Sequence, residues 1–175
     1  MTSPPLLWRL HPSPIGDILI ATVAGRLVTL QPVRDSPHDD LRRLSIALRM
    51  PPEPDESDAV ANLAARQLDA YFSRSLRTFD VPLDWRLVRG FTRAALQAVC
   101  AIPYAETAGY GEVAANAGSP RAARAVGTAC ATTPFSIVVP VHRVIRSDGS
   151  LGEYGGRPEV KRFLLDLEAG TNAGE

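Results

Sequence analysis

Two hydrophobic periods share this chain, and the change from one to the other limits the folds open to it. Residues 6–33 alternate apolar and polar positions between turn signals, reading LWRLH, SPIGD, ILIATV, AGR and LVTLQPV. A period of two buries one face of a pleated strand, so the segment predicts a small antiparallel sheet joined by hairpins. The stretch PPEPDES at 51–57 reads as a connecting loop. After it, Val60, Leu63, Ala64, Leu68 and Tyr71 fall at helical spacing. They predict a helix over 58–73 that covers one face of the sheet as ordinary core packing. From Phe91 the texture changes to helices joined by short turns, beginning with FTRAALQAVCAIPY, whose apolar positions recur every three or four residues until Pro103 ends the run, because proline brings no N–H and clashes with the preceding turn. The expected fold class is α+β: an N-terminal small antiparallel sheet with a covering helix over 1–88, then a mostly helical domain over 89–175.

Within the second half, YGEVAANAG at 110–118 predicts a short helix closed by Gly118. SPRAARAVGTAC predicts another, with Ser119 as N-cap and Pro120 at the first helical position. The pair is a helix-turn-helix, an arrangement as common in scaffolds as in DNA-binding proteins. The chain then runs through SIVVPVHRVI and a glycine-rich loop into PEVKRFLLDLEAG. There Pro158 opens a helix, Gly170 closes it, and Val160, Phe163, Leu164 and Leu167 form the buried stripe.

Charge is balanced, with 19 basic and 19 acidic residues, so bulk charge names no polyanionic partner. No acidic residue lies between Glu112 and Asp148, however, and Arg121, Arg124, Arg143 and Arg146 fall there, which predicts a local electropositive face. The two cysteines, Cys100 and Cys130, form no CxxC or Cys/His cluster, so neither a metal nor another cofactor is expected. Each reads as a small buried hydrophobe, Cys100 on the apolar face of a 91–102 helix and Cys130 near the end of the second helix of the pair. The N-terminal stretch carries prolines and a histidine where a signal peptide is apolar, and no run is long enough for a bilayer, so a cytoplasmic protein is expected.

Four pieces occur in one order: IPYAETAGYGEVA at 102–114, SPRAARAVG at 119–127, VVPVHRVI at 138–145, and SDGSLGEYGG with KRFLLDLE at 147–168. Together they resemble the C-terminal domain of O6-alkylguanine-DNA alkyltransferases, which flip an alkylated guanine from the duplex and move its alkyl group to a cysteine. The resemblance implies a double-stranded DNA partner carrying O6-alkylguanine. It implies DNA contacts by Tyr110, Arg121, Arg124, Ala125, Gly127 and Arg143, with Tyr110 rotating the nucleotide and Arg124 filling the gap left by the base. It further implies an alkylguanine pocket formed by Pro140, Val141, Tyr154, Gly155 and Gly156, and catalytic roles for His142 as proton acceptor and Glu168 as the group that orients it. Where the family reads Pro-Cys-His-Arg, positions 140–143 read Pro140, Val141, His142, Arg143. Valine approximates the size of cysteine but has no lone pair and no proton to lose. Thr133 stands where the family has an asparagine linking its two DNA-binding segments, and Ala105 stands for the glycine of a Pro-Tyr-Gly turn.

Read with Val141, the resemblance implies a monomeric, non-enzymatic lesion sensor that hands the lesion to nucleotide-excision repair proteins. A second reading is an active methylated-DNA–protein-cysteine methyltransferase in which valine has replaced the acceptor cysteine to trap a complex. A helix-turn-helix regulator is a third, although no heptad run supplies a dimer element. A hydrolase using His142 and Glu168 lacks a nucleophile or oxyanion motif.

Overall fold

The run ILIATV is apolar on both faces, and the fold uses both. It forms β2 (Ile18–Val23), buried at all six positions, between β1 (Leu6–His11) and β3 (Arg26–Pro32), with both pairings antiparallel. A register shift between Ala21 and Thr22 adds local twist. On one face Ala21 and Val23 pack with Leu6, Val28 and Leu44, the last from α1 (Pro37–Leu48). On the other, α2 (Ala59–Phe72) lies across the sheet and sends polar side chains into it. Asn62 bonds Arg9, Asp69 bonds the His11 ring at 2.7 Å, and Asp58 accepts from Thr22 at 3.0 Å. A strand covered on both faces reads as a continuous apolar run, and β2 does.

The PPEPDES segment corrects the expectation of a plain loop. Its residues Pro52–Pro54 form β4, an exposed edge strand parallel to β1, so the sheet order is β3-β2-β1-β4. Proline is admissible there because an edge strand has one side whose donors no neighbour needs.

This computed structural model describes residues 3–171, and the chain divides into two units, Met1–Leu87 and Val88–Glu175. The fold is α+β. In the second unit α3 (Gly90–Cys100), α4 (Tyr110–Asn116) and α5 (Ala123–Thr132) pack on one another. The two-residue strands β5 (Ala108–Gly109) and β6 (Val144–Ile145) pair in parallel. The last helix, α6 (Pro158–Ala169), lies against a 3-10 turn at Val141–Arg143.

Gly118 closes α4 as expected, at φ +88°, with its N–H on Ala115 and that of Ser119 on Ala114, two bonds that satisfy the last carbonyls of the helix. The start of α5 differs from the expectation. Ser119 accepts from Ala122 N–H across a separate turn, and α5 begins only at Ala123, with Ala122 as a cap that has no side-chain acceptor. The four residues after Gly118 must first reverse the chain. Only then can Val126 and Ala129 turn into the core.

Asp58 couples helix start to sheet, because the Oδ2 that caps α2 by accepting from Ala61 N–H at 2.8 Å also accepts from Thr22. Asp58→Ala is expected to lower stability by about 1–2 kcal/mol, read as a reduced denaturant midpoint at unchanged slope.

Candidate functional site

Pro140, Val141, His142 and Arg143 are all buried. Val141 N–H donates to Val139 O at 2.8 Å in a tight γ-type turn, and the bonds of Arg143 N–H to Pro140 O at 2.9 Å and of Val144 N–H to Val141 O then wind the segment into its 3-10 turn. The turn throws His142 and Arg143 toward one carboxylate near the C-terminal end of α6. Glu168 Oε1 lies 2.7 Å from His142 Nε2 and accepts from Arg143 Nη2 at 2.9 Å. Its Oε2 accepts from Arg143 Nε at 2.9 Å and from Ala105 N–H at 3.1 Å. The remaining Arg143 donor reaches Ile102 O at 2.7 Å, and the guanidinium lies 5.7 Å from the Tyr104 ring centroid. A two-pronged guanidinium on a carboxylate is among the stronger charge-assisted contacts, and here both partners are out of water.

Full burial lowers the pKa of His142, and the positive charges of Arg143 and Lys161 act in the same direction, whereas the bond to Glu168 opposes them. Burial prevails, and the neutral ring is favoured at neutral pH. With Glu168 ionised as an acceptor, the neutral ring carries its hydrogen on Nε2 and its lone pair on Nδ1. The arrangement is a base oriented by a carboxylate, immediately beside position 141. Val141, only 3% exposed, offers that base no proton.

Two expectations are corrected. Arg143 is not on an electropositive surface: it is 7% exposed and its donors are engaged by Glu168 and Ile102. Cys100 is exposed rather than on the apolar face of α3, where Ala95, Leu96 and Val99 are the buried positions. Thr133 is buried and accepts from Phe135 N–H at 3.1 Å, an interaction that shapes its own turn. Ala105 holds the left-handed backbone that a glycine would favour, at φ +64°, where a side chain costs roughly 1 kcal/mol. It stays there with its N–H on Glu168.

Arg121, Arg124 and Ala125 are exposed along the turn before α5 and its first residues, beside a hollow of about 450 Å³ lined by Ser119, Pro120, Arg121 and Ala122. Gly127, on the same helix, brings its backbone to the Tyr110 ring: a Cβ there would lie 3.9 Å from Cε1. The glycine loop approaches the other end of Tyr110, since a Cβ on Gly152, at φ +74°, would come within 3.1 Å of the hydroxyl. Tyr154 turns its hydroxyl inward, while Gly155 and Gly156 take positive φ, 56° and 78°.

Sequence reasoning missed Lys161. It is the chain's only lysine and 1% exposed, with Nζ donating to Val144 O at 2.5 Å and lying 5.9 Å from the Tyr110 ring centroid. The signal was its uniqueness, in a chain that otherwise uses arginine for every cation, and its place one residue after Val160 on the buried stripe. Among the described residues no group of three His, Cys, Asp or Glu could hold a metal ion, and no helix is long and apolar enough to cross a membrane.

These features define a class: a two-unit α+β protein whose helical unit combines an exposed helix-turn-helix with a buried imidazole–carboxylate–guanidinium cluster. Residues 90–170 match the DNA binding domain of 6-O-methylguanine DNA methyltransferase, and residues 6–85 match the ribonuclease-like domain of the same protein family. A methylated-DNA–protein-cysteine methyltransferase of Methanosarcina barkeri is 41% identical over 156 residues, 89% of this chain and 92% of its own length. One of Mycobacterium leprae is 42% identical over 156 residues, 89% of this chain and 88% of its own. The crystal structure of Mycobacterium tuberculosis OGT in complex with DNA superposes with a TM-score of 0.79 at 39% identity, covering 94% of each chain. The chain belongs to the O6-methylguanine DNA methyltransferase family of DNA repair alkyltransferases. The expectation of a non-enzyme is thereby overturned, because these relatives are named as methyltransferases and point to an enzyme.

The cluster should be sensitive to loss of its anion. Glu168→Gln leaves the Arg143 guanidinium buried opposite a neutral amide, and a stability loss of about 3 kcal/mol is expected in chemical denaturation.

Proposed function

We propose that this chain repairs O6-alkylguanine in double-stranded DNA by drawing the damaged base into its second unit and passing the alkyl group to a cysteine thiol. The observation that carries the reading is the buried His142–Glu168–Arg143 cluster, which holds a neutral imidazole beside the residue preceding it. A base so placed serves to take the proton of a thiol at position 141. The relatives' name describes that chemistry.

In this reading the exposed Arg121 and Arg124 meet the duplex. Tyr110 turns the nucleotide, and the planar Arg124 guanidinium occupies the gap, offsetting the few kcal/mol lost on extruding a base. Pro140, Val141, Tyr154 and the glycines at 155–156 enclose the base. The small Ala125 and Gly127 let α5 approach the groove. Arg143 acts from within, positioning Glu168, and contacts no DNA. Val141 supplies no lone pair, so transfer at this position requires cysteine there, and the buried site accepts a side chain of similar size.

Two measurements test this. Duplex DNA with O6-methylguanine should be bound more tightly than its unmodified counterpart at one fixed salt concentration, and Arg124→Ala should weaken lesion binding more than Arg49→Ala. Equal affinity for the two duplexes would refute a base pocket. Val141→Cys should create stoichiometric methyl transfer to position 141, detected by mass spectrometry. Failure of this variant to accept methyl while binding the lesion would show that His142 does not serve as the base.

A further inference from the structure

The inward turn of Arg143 removes one cation from the surface that would meet DNA, and another stands three residues further on. Arg146 follows β6, is exposed, and begins the glycine-rich loop. Its backbone is fixed there, since its N–H donates to Ser150 O at 3.0 Å and its carbonyl accepts from Gly149 N–H at 3.0 Å. Its side chain folds back along the loop to Gly152. A Cβ on that glycine would lie 3.5 Å from Arg146 Nε, 3.7 Å from Arg146 Cγ and 3.1 Å from the Tyr110 hydroxyl. The guanidinium and the phenol therefore meet over one residue, which leaves room for both because it has no side chain.

Neither acid of the loop, Asp148 or Glu153, is paired with Arg146. Asp148 accepts instead from Ser150, whose N–H and Oγ lie at 2.9 and 2.6 Å, and among the described residues Arg146 enters no ion pair. The Tyr110 ring is held elsewhere by the backbone of Gly127 beside Cε1 and by the buried Lys161 ammonium, 5.9 Å from its centroid. Its hydroxyl end is left at the loop, beside the guanidinium. Burial raises the Tyr110 hydroxyl above its ordinary value, so it keeps its proton and can donate.

We propose that Arg146, and not Arg143, is the cation that holds a phosphate of the flipped nucleotide, acting with the Tyr110 hydroxyl as one clamp. The inference rests on the reading of Tyr110 as the residue that turns the nucleotide. Extrusion rotates a nucleotide about its own backbone, so a phosphate held in place gives the rotation its pivot. A planar guanidinium grips two phosphate oxygens at once, and the neighbouring O–H supplies a further donor. The clamp closes fully only when the nucleotide has turned toward Tyr110. It therefore favours the extruded state over the stacked one, in addition to the attraction that any exposed arginine has for DNA.

The test titrates the full chain with an O6-methylguanine duplex and with its unmodified counterpart over a range of salt concentrations. Each neutralised phosphate contributes about 0.9 to the slope of log affinity against log salt. Arg146→Gln is expected to lower that slope on the lesion duplex by about 0.9 and to weaken lesion binding about tenfold, with a smaller loss on the unmodified duplex. Arg146→Lys, which keeps the charge, should retain the slope, and Arg49→Gln, at an exposed position of the first unit, should leave the lesion preference unchanged. An unchanged slope for Arg146→Gln, or equal weakening on both duplexes, overturns the assignment to the flipped nucleotide. The unaltered chain separates this failure from that of the underlying reading. A lesion preference that survives Arg146→Gln in full leaves the base pocket standing without this clamp, whereas no preference in the unaltered chain refutes both.

Discussion

One carboxylate organises the second unit. Glu168 takes donors from His142, Arg143 and the Ala105 backbone, which belong to the 3-10 turn and to the segment between α3 and α4. Each of these groups would be costly to bury alone. Together they are satisfied, and a buried ion pair missing either member is far less stable than the intact one. The strained Ala105 turn survives on the same account, because its N–H completes the second oxygen of the carboxylate. Position 141 is therefore placed by its neighbours rather than by its own side chain. A valine there leaves the machinery around it assembled.

The unit also buries two titratable nitrogen bases, His142 and Lys161. His142 is neutral because burial and neighbouring positive charge outweigh its bond to Glu168. Lys161, held against Val144 O and the Tyr110 ring, has its charged form disfavoured by burial as well. Exposed Arg121, just before α5, and Arg124, near its start, remain fixed charges, because a guanidinium does not lose its proton in a protein.

Much of the fold was legible because burial imposes a period. Apolar runs between turn signals over 6–33 marked the three strands of the sheet, although β2 is buried at all six positions and does not alternate, and the stripe of Val160, Leu164 and Leu167 marked α6. What lacked a period was misread: β4 consists of Pro52, Glu53 and Pro54, all exposed, and owes its strand geometry to the neighbouring edge of β1. The Ser119-Pro120 pair has the composition of a helix start but serves a turn, because the chain had to reverse before α5 could bury Val126.

For the site, the residue types in order determined that a histidine follows position 141, that a glutamate lies 26 residues beyond that histidine, and that the valine at 141 carries no nucleophile. Only tertiary structure decided that Arg143 turns inward to Glu168, that Cys100 faces solvent, and that Lys161 is buried against Val144 O and the Tyr110 ring. The physical reason is that charge state and hydrogen-bond partner depend on which groups exclude water from one another. Those groups come from helices and loops distant in the chain, and no local spacing records their meeting.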